Sequence, residues 1–79
     1  MASDLLESMR RNPVGDWRIG DVELLCRNYG LSFRFGKGSH ATVHHPAARE
    51  ILTIPSRRPI KPVYIRKLVR YIDVYGGSR

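Results

Sequence analysis

The sequence has little cysteine, no long apolar run and few acidic residues in its second part. The single cysteine, Cys26, cannot form an internal disulfide or supply a cysteine-rich metal site, so we interpret it as a buried apolar residue. No apolar run is long enough to span a membrane, and the acidic stretch SDLLES is not typical of a signal peptide. We therefore expect a cytoplasmic protein that has no membrane partner.

The chain of 79 residues carries a net charge of +7, and this charge is unevenly distributed. The residues up to Gly30 include five acidic and four basic ones, whereas those after Gly30 include ten Lys or Arg and only two acidic residues, Glu50 and Asp73. Such asymmetry indicates a polyanionic partner, most simply a nucleic acid. The alternative is a solvated basic surface that keeps the protein in solution.

The spacing of apolar residues predicts an α+β domain with the element order α-α-β-β-β-α. Two helices are predicted over residues 3–13 and 20–30, and a third over residues 61–75. Alternating patterns in LSFRF, HATVHH and EILTIP predict three strands, which the short links GKGS and PAAR join into an antiparallel meander. The helices are expected to cover one face of this three-stranded sheet.

The alternation also predicts which side chains lie on each face of the sheet. Leu31, Phe33 and Phe35 are expected to face the helices. The opposite, polar face, which we call the open face, is expected to carry Arg34, His40, Thr42, His44 and Thr53. In the helices, the predicted inward stripes are Val22, Leu25, Cys26 and Tyr29, and then Ile65, Leu68, Val69 and Ile72.

The segment GKGSH places His40 directly after a flexible turn, where its imidazole would be exposed. RNA carries its own nucleophile, the 2′-hydroxyl, so a histidine that moves protons suffices for cleavage without a metal. The alternative is an ordinary surface histidine. His44 and His45 are interpreted as structural or RNA-contacting residues. Because His40 and His44 lie about 13 Å apart along a strand, they are poorly placed to share one metal ion, and we expect no metal or other cofactor.

The segments KGSHATVHHP and LTIPSRRPIKPVYIRKLV resemble the HicA toxin family of bacterial toxin–antitoxin modules. The resemblance covers about residues 17–75. It implies a fold similar to a double-stranded RNA-binding domain, an endoribonuclease activity on messenger RNA with His40 as the catalytic residue, and neutralisation by a HicB-type antitoxin. At residue 44 the family pattern has a basic residue such as Arg, whereas this chain has His.

The helix at the N-terminus extends beyond the shortest family pattern. We therefore divide the chain into a helical extension, residues 1–15, and a HicA-like ribonuclease domain, residues 16–79. The extension could pack on the domain, bind the antitoxin or do neither. 

The candidate RNA-contacting residues lie in the glycine-rich turn, in the segment SRRPIK and in the last helix. They are Lys37, Gly38, Ser39, Arg57, Arg58, Lys61, Arg66 and Arg70. Three functions remain open. The first two are a metal-independent endoribonuclease of toxin type and a non-catalytic module that binds double-stranded RNA. A third is a protein-interaction domain whose basic face binds an acidic partner.

Overall fold

The computed structural model of the chain describes residues 3–36 and 38–76. The element order is α-α-β-β-β-α, and the predicted α+β fold is confirmed. The elements are α1 (Ser3–Arg11), α2 (Ile19–Asn28), β1 (Ser32–Phe35), β2 (His40–His44), β3 (Leu52–Pro55) and α3 (Pro62–Tyr75). None of the described helices is both long enough and apolar enough to cross a membrane.

The three strands form one antiparallel sheet in the order β1-β2-β3. Thr42 in the central strand lies between Arg34 of β1 and Thr53 of β3. Because side chains alternate along a strand, this register places Arg34, Thr42 and Thr53 together on the open face. Ala41 and Val43 alternate with them and are fully buried, so the predicted division of the sheet into a covered and an open face is confirmed.

Helices α2 and α3 cover the other face of the sheet with the predicted apolar stripes. Val22, Leu25 and Cys26 of α2 are fully buried, whereas Tyr29 at the end of the predicted stripe is only half-buried. In α3 the buried residues include all four that the spacing predicts: Ile65, Leu68, Val69 and Ile72. Helix α2 is followed by Gly30, whose φ of 72° is the left-handed conformation that glycine adopts most easily at such a position.

Helix α1 is part of the same core as the rest of the chain. Leu6 and Met9 are buried, and the helix lies against α2 and α3. Arg10 donates two hydrogen bonds to the carboxylate of Asp73 on α3, at 2.7 and 2.9 Å. The sequence left three roles open for this helix, and the structure shows that it packs on the domain. The functional division between residues 15 and 16 stays a prediction.

Phe35 lies on the predicted face of the sheet, opposite the buried Ala41, but it is not part of the core, because its side chain is 63% exposed. Phe35 is the last residue of an edge strand and lies at a corner of the sheet. Its ring meets the edge of Phe33, with ring centroids 5.2 Å apart and planes at 86°. The core at this end of the sheet is instead closed by Ile54 and Ile60, which are almost completely buried.

The connection between β2 and β3 is fixed to α3 by one side chain that the helical stripe does not include. Tyr71 is 4% exposed. Its hydroxyl donates a hydrogen bond to the carbonyl of Glu50 at 2.9 Å and accepts one from the amide of His45 at 3.2 Å. The two partners lie at opposite ends of the connection, so a single hydroxyl holds both ends.

Candidate functional site

His40 begins β2 and lies on the open face, at the end of the sheet where the glycine-rich turn joins β1 to β2. The amide of Gly36 donates a hydrogen bond to the carbonyl of His40 at 2.8 Å and closes this turn. Gly38 adopts a φ of 68°, which favours glycine at this position. The side chain of His40 is exposed, and among the described residues none forms a hydrogen bond with its ring. Lys37, a predicted RNA contact, lies outside the described residues.

The other two histidines use their rings within the connection that follows β2. The Nε2 atom of His44 lies 3.3 Å from the carbonyl oxygen of Ala48, which can only accept a hydrogen bond, so the ring acts as the donor. The Nδ1 atom of His45 accepts a hydrogen bond from the amide of Ala47 at 2.9 Å. The His45 ring also stacks on Tyr75, with centroids 6.2 Å apart. Both rings thus have a structural role, one of the two roles that the sequence left open for them.

The histidines do not form a cluster with other metal-binding side chains. Within residues 3–36 and 38–76, no group of three His, Cys, Asp or Glu side chains is placed to hold one ion. His40 lies at one end of β2 and His44 at the other.

A basic loop, residues 56–61, lies beside the turn that carries His40. The amide and the hydroxyl of Ser56 both donate hydrogen bonds to the carbonyl of Ser39, the hydroxyl at 2.9 Å. These two bonds tie the loop to the residue immediately before His40. Arg57 is exposed, and Lys61, at the start of α3, is exposed as well. The structure therefore brings the start of the loop, with Arg57, to the end of the sheet where Gly38, Ser39 and His40 lie. Further along the loop, the amide of Ile60 donates a hydrogen bond to the carbonyl of Trp17, so the structure does not place Arg58 and Lys61 together with His40.

Arg58 differs from Arg57 because it has an acidic partner. Its guanidinium donates hydrogen bonds to both carboxylate oxygens of Asp16, at 3.4 and 3.2 Å. These bonds hold the pKa of Asp16 below its usual value. Part of the charge of Arg58 is thus already neutralised within the protein, and Arg57 is the better candidate for a phosphate contact.

Two other predicted contacts, Arg66 and Arg70, lie on a different surface. Both line a groove between α3 and α1, together with Met9, Pro13 and Val69. This groove belongs to the helical layer, whereas His40 lies on the face of the sheet that the helices do not cover. The structure does not place Arg66 or Arg70 together with His40, and their contribution to a common RNA surface stays a prediction.

Arg34 is a candidate that sequence reasoning placed on the open face without giving it a role. It lies opposite Thr42, which makes it the diagonal neighbour of His40 on the adjacent strand. Such neighbours are separated by roughly 7–8 Å. Its side chain is exposed, and within the described part of the chain it forms no ion pair. Counting the strand register back from the turn would have identified it.

Comparisons with known proteins leave the family of this chain open. No family model, no curated protein and no solved structure matches it. The resemblance to the HicA toxins therefore depends on the motif residues alone, and the likeness of the fold to a double-stranded RNA-binding domain stays a prediction.

Proposed function

We propose that the protein is an endoribonuclease of toxin type, similar to the HicA family, which cleaves messenger RNA with His40 as the proton-transferring residue. The activity requires no metal ion. The protein acts in the cytoplasm, has the predicted fold likeness to double-stranded RNA-binding domains, and is neutralised by an acidic, HicB-type partner protein.

One observation carries this proposal: the three histidines have different environments. The rings of His44 and His45 are hydrogen-bonded to the backbone of the β2–β3 connection. His40 is exposed on the open face, after a turn with a left-handed glycine, and the preceding Ser39 is hydrogen-bonded to Ser56, the residue before Arg57. A ligand can therefore reach the His40 imidazole at a place that also has a left-handed glycine, Gly38, and the positive charge of Arg57.

The chemistry that this arrangement supports is an in-line attack within the RNA itself. A base removes the proton from the 2′-hydroxyl, the 2′-oxygen forms a bond to phosphorus, and the bond from phosphorus to the 5′-oxygen breaks. A proton is given to the departing 5′-oxygen, and the product carries a 2′,3′-cyclic phosphate. His40 serves as the base or the acid, and the guanidinium of Arg34 offsets the negative charge that grows on the phosphate.

The proposal is tested by cleavage of a labelled, mixed-sequence RNA in the presence of EDTA by three purified proteins. These are the wild type, His40→Ala and the matched histidine variant His44→Gln. We expect His40→Ala to lose about 10²–10⁴-fold in the cleavage rate, which is the usual contribution of a general acid or base. His44→Gln retains an amide donor for Ala48 and is expected to cleave as the wild type does.

A second substrate distinguishes an enzyme from a non-catalytic RNA-binding module. RNA with 2′-O-methyl groups lacks the nucleophile, so an enzyme of this mechanism binds it without cutting it. Induced expression in bacteria should arrest growth for the wild type and not for His40→Ala, with circular dichroism showing that both fold. If the wild type binds RNA but cuts none, the RNA-binding module is the better assignment. If His40→Ala cuts RNA as fast as the wild type, His40 is not the proton-transferring residue.

A further inference from the structure

A groove at the outer edge of the sheet has features of a polypeptide-binding surface. It lies between the beginning of β3 and the second half of α3, and has a volume of about 590 Å³. It is lined by Ile51, Leu52, Lys67, Arg70 and Val74, among others; Arg70 lines both this groove and the groove between α3 and α1. We call it the edge groove, and we infer that it binds an extended, acidic segment of a partner protein. This inference does not depend on ribonuclease activity.

The backbone of β3 is available for pairing along this edge. β3 is the last strand of the sheet, and its register pairs Thr53 with Thr42. The hydrogen bonds of Gly36 to His40 and of Ser56 to Ser39 set the alternation of the ladder. By that alternation, Thr53 directs its N–H and C=O away from β2. An extended segment beside β3 would find both groups free to pair with it, which is how strands are commonly added to sheet edges.

The side chains of the edge groove suit a protein better than a nucleic acid. Ile51 is 59% exposed and Val74 is 63% exposed, although both are large apolar residues. Apolar side chains contribute nothing to the binding of a phosphate backbone, whereas they contribute directly to the binding of a peptide. The combination of an open strand edge and two exposed aliphatic side chains therefore favours a polypeptide.

The charge of the edge groove indicates that this polypeptide is acidic. Lys67 lies over the ring of Tyr64 at 5.8 Å, and neither it nor Arg70 forms an ion pair within the described residues. Among the described residues that line the groove, Glu50 is the single acidic one, whereas Lys67 and Arg70 are basic. With a net charge of +7, a second copy of this chain would be repelled, whereas carboxylates that approach Lys67 and Arg70 are attracted.

The edge groove is also separate from His40. β2 begins at His40 and is followed by the connection whose end, Glu50 and Ile51, lines the groove. His40 pairs with Pro55 at the far end of β3. A variant can therefore change the groove without touching the residues near His40.

The test is the binding of two fluorescein-labelled peptides of eight residues, one of alternating Glu and Val and one of alternating Lys and Val. Fluorescence anisotropy is measured with the wild type, with Lys67→Glu/Arg70→Glu, and with the control Arg57→Glu/Lys61→Glu. The two double variants change the net charge equally. All four side chains are exposed, and circular dichroism checks that each protein is folded.

We expect the Glu peptide to bind the wild type at least about tenfold more tightly than the Lys peptide, because of charge complementarity. Lys67→Glu/Arg70→Glu should lose at least about tenfold in affinity for it, and the control should lose much less. In two-dimensional NMR spectra, the Glu peptide should shift the amide signals of Ile51, Thr53 and Val74.

Three results would overturn the inference. The first is the absence of binding to the wild type at millimolar peptide, and the second is an equal loss in both double variants, which would indicate a general effect of charge. The third is an RNA oligonucleotide that displaces the peptide and shifts the same amide signals, which would assign the edge groove to nucleic acid. None of these results depends on whether His40 cleaves RNA.

Discussion

Removing the hydroxyl of Tyr71 tests how the β2–β3 connection is held to the rest of the fold. The hydroxyl lies in α3 and joins both ends of the β2–β3 connection, through the amide of His45 and the carbonyl of Glu50. Tyr71→Phe removes only this hydroxyl and keeps the ring that packs on Tyr75 at 5.0 Å. The expected loss of stability can therefore be assigned to two hydrogen bonds.

The magnitude follows from the environment of each partner. Glu50 is exposed, so its carbonyl can bind water after the change, and the loss is that of an ordinary hydrogen bond, about 1 kcal/mol. His45 is half-buried, and its amide loses its hydrogen-bond partner. Leaving a partly buried donor unpaired costs about 1 kcal/mol, the lower end of the usual penalty. The two losses together should lower the free energy of unfolding of Tyr71→Phe by about 2 kcal/mol, which lowers the Tm of a domain of this size by about 8–16 °C.

The assay is urea unfolding followed by circular dichroism, with Tyr75→Phe as the matched control. Tyr75 also lies in α3 and is half-buried, but its hydroxyl forms no hydrogen bond within the described part of the chain. The control should change the free energy of unfolding by less than about 0.5 kcal/mol. If Tyr71→Phe loses no more than the control, the hydroxyl does not hold the connection and the reasoning is refuted.

The same residue gives a prediction for alkaline pH. Burial raises the pKa of Tyr71 above its usual value, although its hydrogen bond from His45 acts in the opposite direction. The folded state therefore holds the phenolic proton more tightly than the unfolded state. This contribution to stability is fully present below the usual tyrosine pKa of about 10 and is lost as the pH rises through the folded value. Tyr71→Phe lacks this contribution, so its stability should fall less steeply above pH 10.

Three further predictions concern other parts of the molecule. Asp73→Asn should lower the free energy of unfolding by about 0.5–1 kcal/mol at neutral pH, a small loss because the ion pair with Arg10 is partly exposed. Arg10 lowers the pKa of Asp73, so in urea unfolding the difference between variant and wild type should disappear as the pH falls below 3.8. Burial raises the pKa of the Cys26 thiol to about 12 from 9.0, so the stability of the wild type should fall between these pH values and that of Cys26→Ala should fall less. Arg34→Gln should slow RNA cleavage by about 10–100-fold while the affinity for uncleavable 2′-O-methyl RNA changes little, because its charge acts mainly on the transition state. An equal loss of affinity and rate would assign Arg34 to binding alone.

The sequence predicts most of the fold because each element has a clear period. Alternation in HATVHH identifies both faces of β2, and the structure buries Ala41 and Val43 as expected. The period does not predict burial at the end of an edge strand. Phe35 has the correct parity for the core, but it lies at the end of an edge strand, and parity gives no information on what covers that position.

The candidate site could be predicted only in part, because a pattern assigns a residue to a face of its own element and not to a surface of the molecule. Arg57 and Arg66 belong to one basic stretch of sequence, yet the first lies in the loop beside His40 and the second in the groove with α1. Tyr71 was missed for a related reason. It precedes the inward Ile72, and its hydroxyl partners, His45 and Glu50, are distant in sequence.

The separation of the edge groove from His40 places a requirement on any partner that inhibits the proposed activity. The path between them follows β3, whose four residues, Leu52–Pro55, span about 13 Å. A segment that fills only the groove can bind without blocking RNA. Inhibition requires at least about four further residues that continue along β3 and reach the basic loop. Pro55 has the same parity as Thr53, so its carbonyl can accept a hydrogen bond from this continuation, but it has no amide hydrogen to donate. Side chains of the partner segment must therefore supply further contacts there, and a carboxylate that meets Arg57 is the natural choice.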